Sequence, residues 1–322
     1  MKLVASILLL FSCITFQAQN YKAVDQKVNS YPKHYASAEN LASQIGKDFK
    51  TDSDKARAIF TWLSKNISYD LQRFYRGSTK VSFSYTDQAD FQRKLAAVNQ
   101  HSVNETLRTN KAVCEGYART FKKVAELLNI PCLFIDGYSK SSINDVDNIP
   151  PQEDHAWNAI KIGSTWRLVD VTWGAGHSEN KQWKSFFDDY FFFTDPDEFA
   201  LTHLPGDREY LFTDKKIALE DFYSTPLFAK AYFKNNLKLK TPQKGNLVVV
   251  TGSSITFKMG QIPTDVKLHY AFRDNMKPQE IEPVCAGSTC SFSIPFSQTN
   301  DTELFIIANR KTAIHYKVTI KK

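Results

Sequence analysis

HAWNAIKIGSTWRLVDVTW, residues 155–173, reads as two β-rich runs either side of Gly163-Ser164, a two-residue turn signal. In that register Ile162 faces Thr165, Trp157 faces Asp170 and His155 faces Thr172. His155, Trp157 and Ala159 then share a face with Leu168, Asp170 and Thr172, and His155 and Asp170 become diagonal neighbours about 7 Å apart at the backbone. A slip of one residue would send one of them to the opposite face, so the parity carries information. An Asp between Val169 and Val171 is itself unusual, because carboxylates are depleted in strands and need a partner when buried. A structural His–Asp pair would satisfy this pattern as well as a catalytic one.

The segment CEGYARTFKKVAELLNIP, residues 114–131, separates the two readings. Apolar residues recur at Tyr117, Ala118, Phe121, Val124, Ala125 and Leu128, the stripe of a helix packed on one side. Asn129-Ile130-Pro131 stops it, since proline cannot continue the hydrogen-bond ladder. Cys114 therefore falls in the first turn, where free backbone N–H groups and the helix dipole favour a thiolate and can hold an oxyanion. Alone, Cys114 would read equally well as a small buried hydrophobe. With His155 and Asp170 following on a hairpin, the three form the set expected of a nucleophile, a general base and an orienting carboxylate.

Those residues resemble the Cys, His and Asp motifs of the transglutaminase-like superfamily, in that family's order: AVCEGYARTF (112–121), HAWNAIKI (155–162) and WRLVDVTWGAG (166–176). Further stretches are similar to its kyphoscoliosis peptidase-like branch: ARAIFTWLSKNISYD (56–70), FFFTDPDEFALTHLP (191–205) and LFTDKKIALEDF (211–222). The likeness runs from about residue 35 to 225. It implies an α+β, papain-like core in which a Cys-bearing helix packs on an antiparallel sheet. It also implies Cys114 as nucleophile, His155 as base and Asp170 as orienter. Transglutaminases, peptidases, amidases and inactive binding proteins all occur in this superfamily, so the resemblance does not choose the reaction.

MKLVASILLLFSCITFQAQN, at the N-terminus, has one Lys, an apolar stretch and then small and polar residues, the pattern of a signal peptide over residues 1–19. The implied location is exported: periplasmic, secreted or cell-envelope. A looser resemblance of Leu10–Cys13 to a lipoprotein box gives a second reading, an N-terminal lipid anchor at Cys13. The catalytic domain is expected over 20–225, with helices at 38–49 and 56–67. The polar stretch 77–111 reads as loops with a short helix near 91–98. Phe186 to Phe199 is dense in aromatics and reads as a strap packed over one side of the sheet. Residues 226–322 change character: NLVVVT, SITFKM, VKLHYAF, CSFSIPF, ELFIIAN and IHYKVTI predict an all-β, immunoglobulin-like sandwich. Cys285 and Cys290 bracket a turn that an oxidising compartment could bridge.

That C-terminal module holds 14 Lys or Arg against 6 Asp or Glu, which suits an anionic cell-envelope partner or, equally, a solvated basic face. No nucleic-acid motif, phosphate loop, calcium loop or zinc-spaced Cys/His pair is present, so neither a cofactor nor a metal is implied. His34, His101, His177, His203, His269 and His315 are scattered singly and read as structural or surface residues, with His177 kept as a cleft-rim candidate. Trp157 and Trp173 are expected to line the cleft, while Trp62, Gln100 and Asn104 are open candidates for a second oxyanion donor. The sequence thus predicts an exported cysteine-dependent acyl-transfer enzyme, peptidase/amidase or transglutaminase, acting on a protein or peptide substrate. The alternative is a catalytically silent binding or scaffold protein of the cell envelope.

Overall fold

The computed structural model describes residues 21–77 and 83–321. The predicted signal peptide and the Cys13 anchor lie outside them. Helices Ala38–Asp48 and Asp52–Asn66 begin where Ser37 and Thr51 place side-chain oxygens on the N–H groups of Asn40 and Asp54. With the Cys114–Leu127 helix they bury Leu41, Ile45, Phe60, Leu63, Tyr117, Phe121 and Val124 in one core against Ile160 and Val169 of the sheet. The sheet is five-stranded and antiparallel, in the order Phe192–Thr194, Thr165–Val169, His155–Ile162, Cys132–Ser139, His203–Pro205. The architecture is therefore the α+β, transglutaminase-like core that the sequence predicts, with the Cys-bearing helix on an antiparallel sheet.

Two local expectations are corrected. The hairpin register is the expected one, Ile162 opposite Thr165 and Asn158 opposite Val169, but the second strand ends at Val169. Asp170 is not a strand residue: it is the N-cap of a short helix, Val171–Ala175, and its Oδ1 accepts the Trp173 N–H at 3.1 Å. Capping satisfies one carboxylate oxygen locally and leaves the other for a distant partner, which is why an acidic residue stands here. The second correction concerns 77–111, where a helix runs over Gln88–Thr109, 22 residues, capped by Asp87 and ended by Asn110 in the left-handed region at φ 51°. It buries only Asp90, Val103, Thr106 and Leu107. So narrow a buried stripe leaves little hydrophobic periodicity to read.

Beyond Pro226 two sheets face one another as an immunoglobulin-like sandwich. One holds Leu227–Phe228, Lys311–Lys321, Thr302–Ala308, Leu268–Phe272 and Asn275–Ile281, with Asn246–Val250 parallel to Lys311–Lys321. The other holds Leu239–Thr241, Ser254–Met259, Thr289–Pro295 and Val284–Ala286. Phe257 meets Tyr316 edge-on across the layers, ring centres 5.7 Å apart, among Ile294, Leu304 and Ile306. The Asn275–Ile281 strand was not legible as one: it contains Pro278 and is almost wholly exposed, as an edge strand tolerates. Cys285 and Cys290 are disulfide-bonded across the hairpin.

The aromatic strap divides between packing and exposure. Phe192 is buried and Phe187, Phe191 and Phe193 pack on the first core, whereas Phe186 is 54% exposed. Arg57 anchors this region: its Nε and Nη2 donate to Asp25 at 2.9 and 2.7 Å, and its guanidinium lies among the rings of Tyr21, Phe60, Phe187 and Phe192. Arg57 is 4% exposed, so truncation removes a buried guanidinium and leaves the half-buried Asp25 carboxylate with the Thr61 hydroxyl as its remaining side-chain donor. Arg57→Ala is expected to lower unfolding free energy by about 3–5 kcal/mol, read from the midpoint of urea denaturation.

Candidate active site

Cys114 is placed by backbone on one side and packing on the other. Just before it, Ser68–Tyr69 and Lys111–Ala112 form a two-residue parallel ladder, extended by Asp70 N–H donating to Ala112 O at 2.9 Å. Val113 is extended, φ −88° and ψ 175°, and the helix starts at Cys114. Gly116 lets the helix sit close, since a Cβ there would lie 2.7 Å from both Ala112 Cβ and Thr106 Oγ1. From the sheet, buried Asn158 donates through Nδ2 to Ala118 O at 3.0 Å and Leu133 O at 2.9 Å. That side chain fixes the nucleophile helix to the strand that carries His155.

His155 Nε2 bonds Asp170 Oδ2 at 2.8 Å, leaving Nδ1 for Cys114, which lines the same recess and helps raise the His155 pKa. The three predicted residues are thus brought together, at 9%, 8% and 1% exposure for Cys114, His155 and Asp170. Burial works against a charged imidazole, but the Asp170 charge and hydrogen bond, aided by Cys114, outweigh it and raise the His155 pKa well above its ordinary value. Burial likewise works against ionised Asp170, and His155 with His203 overcomes it and holds the carboxyl far below the usual range.

His203 is a residue that sequence reasoning missed. Its Nε2 donates to the same Asp170 Oδ2 at 3.1 Å, and its Nδ1 lies 2.9 Å from Thr202 Oγ1. Burial pushes its pKa down to about 4, so it is neutral near pH 7, and the Thr202 hydroxyl donates to Nδ1. Phe199 stacks on the ring at 3.9 Å and Trp173 packs at 4.4 Å. Ligand atoms of His155, Asp170 and His203 lie within 4.8 Å of one another, but both Nε2 atoms spend their hydrogens on the carboxylate between them. The signal was weak: a lone His inside FFFTDPDEFALTHLP, separated from Asp170 by 33 positions.

Other expectations divide. Trp173 lines the cleft and His177 stands exposed at its rim. Trp157 does not line it: at 1% exposure it is core, packed on Phe199 and His203 behind the His155 imidazole. Its strand position points it the same way as His155, but the His203 and Phe199 side chains cover it. Trp62 is fully buried and donates to Pro32 O, and Gln100 donates to Asn104 on the long helix. The group found beside Cys114 is Tyr69, which lines the same recess and feels the Cys114 backbone N–H. Burial first, then the nearby Cys114 and Asp170, push its phenol far above the ordinary range and keep it protonated.

Two recesses meet at Tyr69, Phe74, Asp154 and His155. The smaller, about 290 Å³, reaches Cys114 along Val113, Glu115 and Glu153. The larger, about 610 Å³, runs past Trp173 and Trp183 to Leu227–Lys230.

Residues 39–171 match the family model described as the transglutaminase-like superfamily. The chain thus carries a transglutaminase-like domain. Kyphoscoliosis peptidase from Homo sapiens is 25% identical to this transglutaminase-like chain over 219 residues, 67% of the chain and 30% of that protein. Hillarin from Drosophila melanogaster is 26% identical over 255 residues, 74% of the chain and 28% of that protein. The match therefore spans less than a third of each relative's length. A crystallised TGase shares 15% identity over 57% of the chain and 40% of its own length, at a TM-score of 0.31. At the coarse level the transglutaminase-like domain is that of a cysteine peptidase or transglutaminase-like enzyme.

The electrostatics of the site are directly testable. Asp170→Asn removes the charge that outweighs burial, leaving only Cys114 to oppose desolvation. The His155 pKa is expected to fall from its raised position toward or past the ordinary value of about 6.5, followed by NMR titration of the imidazole.

Proposed function

We propose that this protein is an exported cysteine-dependent acyl-transfer enzyme acting on peptide or glutamine-type amides. The observation that carries the reading is the buried chain Cys114–His155–Asp170, with the imidazole held between thiol and carboxylate. In the first step the Cys114 S–H proton passes to His155 Nδ1 and Sγ attacks the amide carbon, forming a C–S bond as the C=O π bond opens to a tetrahedral oxyanion. His155 passes its Nδ1 proton to the amide nitrogen, the C–N bond breaks, and the amine leaves an acyl-thioester on Cys114. Water or a second amine then attacks, His155 takes its proton, and the C–S bond breaks to restore the thiol–imidazole pair. Asp170 keeps the ring oriented and stabilises the imidazolium.

The oxyanion forms in the recess that Cys114 and Tyr69 share, where the Tyr69 hydroxyl supplies a donor. A phenol kept protonated by burial retains the hydrogen this role needs. The Cys285–Cys290 disulfide supports the exported half of the reading, because such bonds persist in oxidising compartments.

Labelling the mature protein with iodoacetamide at pH 6, followed by mass spectrometry, tests the nucleophile. Cys114 is expected to alkylate selectively in wild type and at least tenfold more slowly in His155→Ala. Equal, sluggish labelling in both sinks the enzyme reading. Tyr69→Phe is expected to retain the labelling rate while kcat on an amide substrate falls by about 10²–10³. A matching fall in labelling would instead make Tyr69 a support for the thiol.

A further inference from the structure

The smaller recess contains both Cys114 and His155, whereas the larger one contains His155 without Cys114. The leaving nitrogen takes its proton from the imidazole while the acyl group stays on the sulfur, so the recess lined by His155 but not by Cys114 suits the amine side of the bond. We propose that the larger recess is the subsite for the polypeptide on the amine side of the attacked bond, that it takes an uncharged aromatic side chain, and that the C-terminal sandwich forms its far wall. This rests on the acyl-transfer reading above and narrows it to peptide bonds.

Three observations carry it. The recess is ringed by Phe74, Tyr75, Trp173, Phe186 and Phe228, and Phe74, Tyr75 and Phe186 are 51%, 56% and 54% exposed. Large aromatics left in water around one concavity mark a surface that another apolar group covers. Its charged residues are engaged within the protein. Lys230 pairs with Asp188, Lys140 Nζ donates to Phe222 O and Thr225 O, Asp145 accepts from the Ser141 and Ser142 N–H groups, and Asp154 accepts from Ser139 N–H. A charged side chain would find little complement there.

The third observation separates a peptide from a purely apolar ligand. Thr172 Oγ1 and Trp183 Nε1, both belonging to residues of this lining, are buried and have no hydrogen-bond partner among the described residues; Thr172 is only 5% exposed. Indole N–H is a donor only, so it calls for an acceptor, and backbone carbonyls of an extended peptide supply acceptors at regular spacing. Trp183 also stacks on Tyr69, ring centres 5.4 Å apart, next to the Cys114 N–H. Leu227, Phe228, Ala229 and Lys230 bring the start of the sandwich to the same recess.

The test uses the mature full-length chain and a library of N-acetylated, C-amidated octapeptides. Cys114→Ala protein captures peptides, which are eluted and sequenced; wild type then processes the captured pool and the cut bonds are mapped. Phe, Tyr or Trp is expected to be enriched at least fivefold, immediately on the amine side of the cut. Thr172→Val or Trp183→Phe, introduced into the Cys114→Ala protein, is expected to weaken binding of a selected peptide about tenfold, the worth of one hydrogen bond in a dry site. Phe186→Ala, an exposed position that folding tolerates, is expected to weaken it as well. Aromatics on the acyl side, no enrichment, affinity indifferent to all three variants, or capture without cutting each overturns the proposal. Failure of the acyl-transfer reading registers separately, as sluggish Cys114 labelling that is the same with and without His155.

Discussion

One carboxylate oxygen organises the centre of this molecule. Asp170 Oδ2 accepts from His155 and His203, while Oδ1 accepts from the Trp173 backbone. A carboxylate at 1% exposure persists as an anion only because every direction from which it could be hydrated is taken by a donor. The strand end at Val169, the short helix after it and the arrival of the His203–Pro205 strand from the opposite sheet edge all converge on that requirement. The negative charge so held is what makes a buried imidazolium tolerable at His155. The state of the His155 imidazole beside Cys114 is therefore downstream of a solvation problem solved fifteen residues later in the chain.

The two histidines on that oxygen have opposite fates for a physical reason. His155 faces both an anion and a thiol, so its charged form is favoured despite burial. His203 faces the same anion, but with His155 beside it a second positive charge is repelled, and burial prevails. Neutral His203 thus holds Asp170 without competing for its charge. Its stacking on Phe199 and packing against Trp173 keep it in place.

Much of this was legible in the residues. The hairpin register, the Cys114 helix, the α+β class and the β-rich C-terminal run follow from period-two and period-3.6 patterns with their turn signals. Asp170 was legible as an oddity, a carboxylate among valines, but not as a cap, because capping depends on where the strand stops. Tyr69 and His203 were not legible. Each sits in a short strand, two residues and three residues long, whose placement is decided by pairing with distant segments. Trp157 was misread because parity fixes the face a side chain points to, not what lies on top of it. The long Gln88–Thr109 helix escaped because so little of it is buried.

The two-rung ladder between Ser68–Tyr69 and Lys111–Ala112 has a consequence for how such a protein diversifies. It closes a loop of about forty residues whose two ends are clamped at the nucleophile. Tyr69 is held by a rung and Cys114 follows two residues after the other strand, its helix also packed on Thr106 of the excursion. That excursion supplies Phe74, Tyr75 and Gly77 to the cleft walls. Change there would remodel what the cleft admits while leaving the reacting atoms where they stand. Recognition and chemistry are thus separable by inheritance, with the rungs as the seam between a part free to drift and a part that is not.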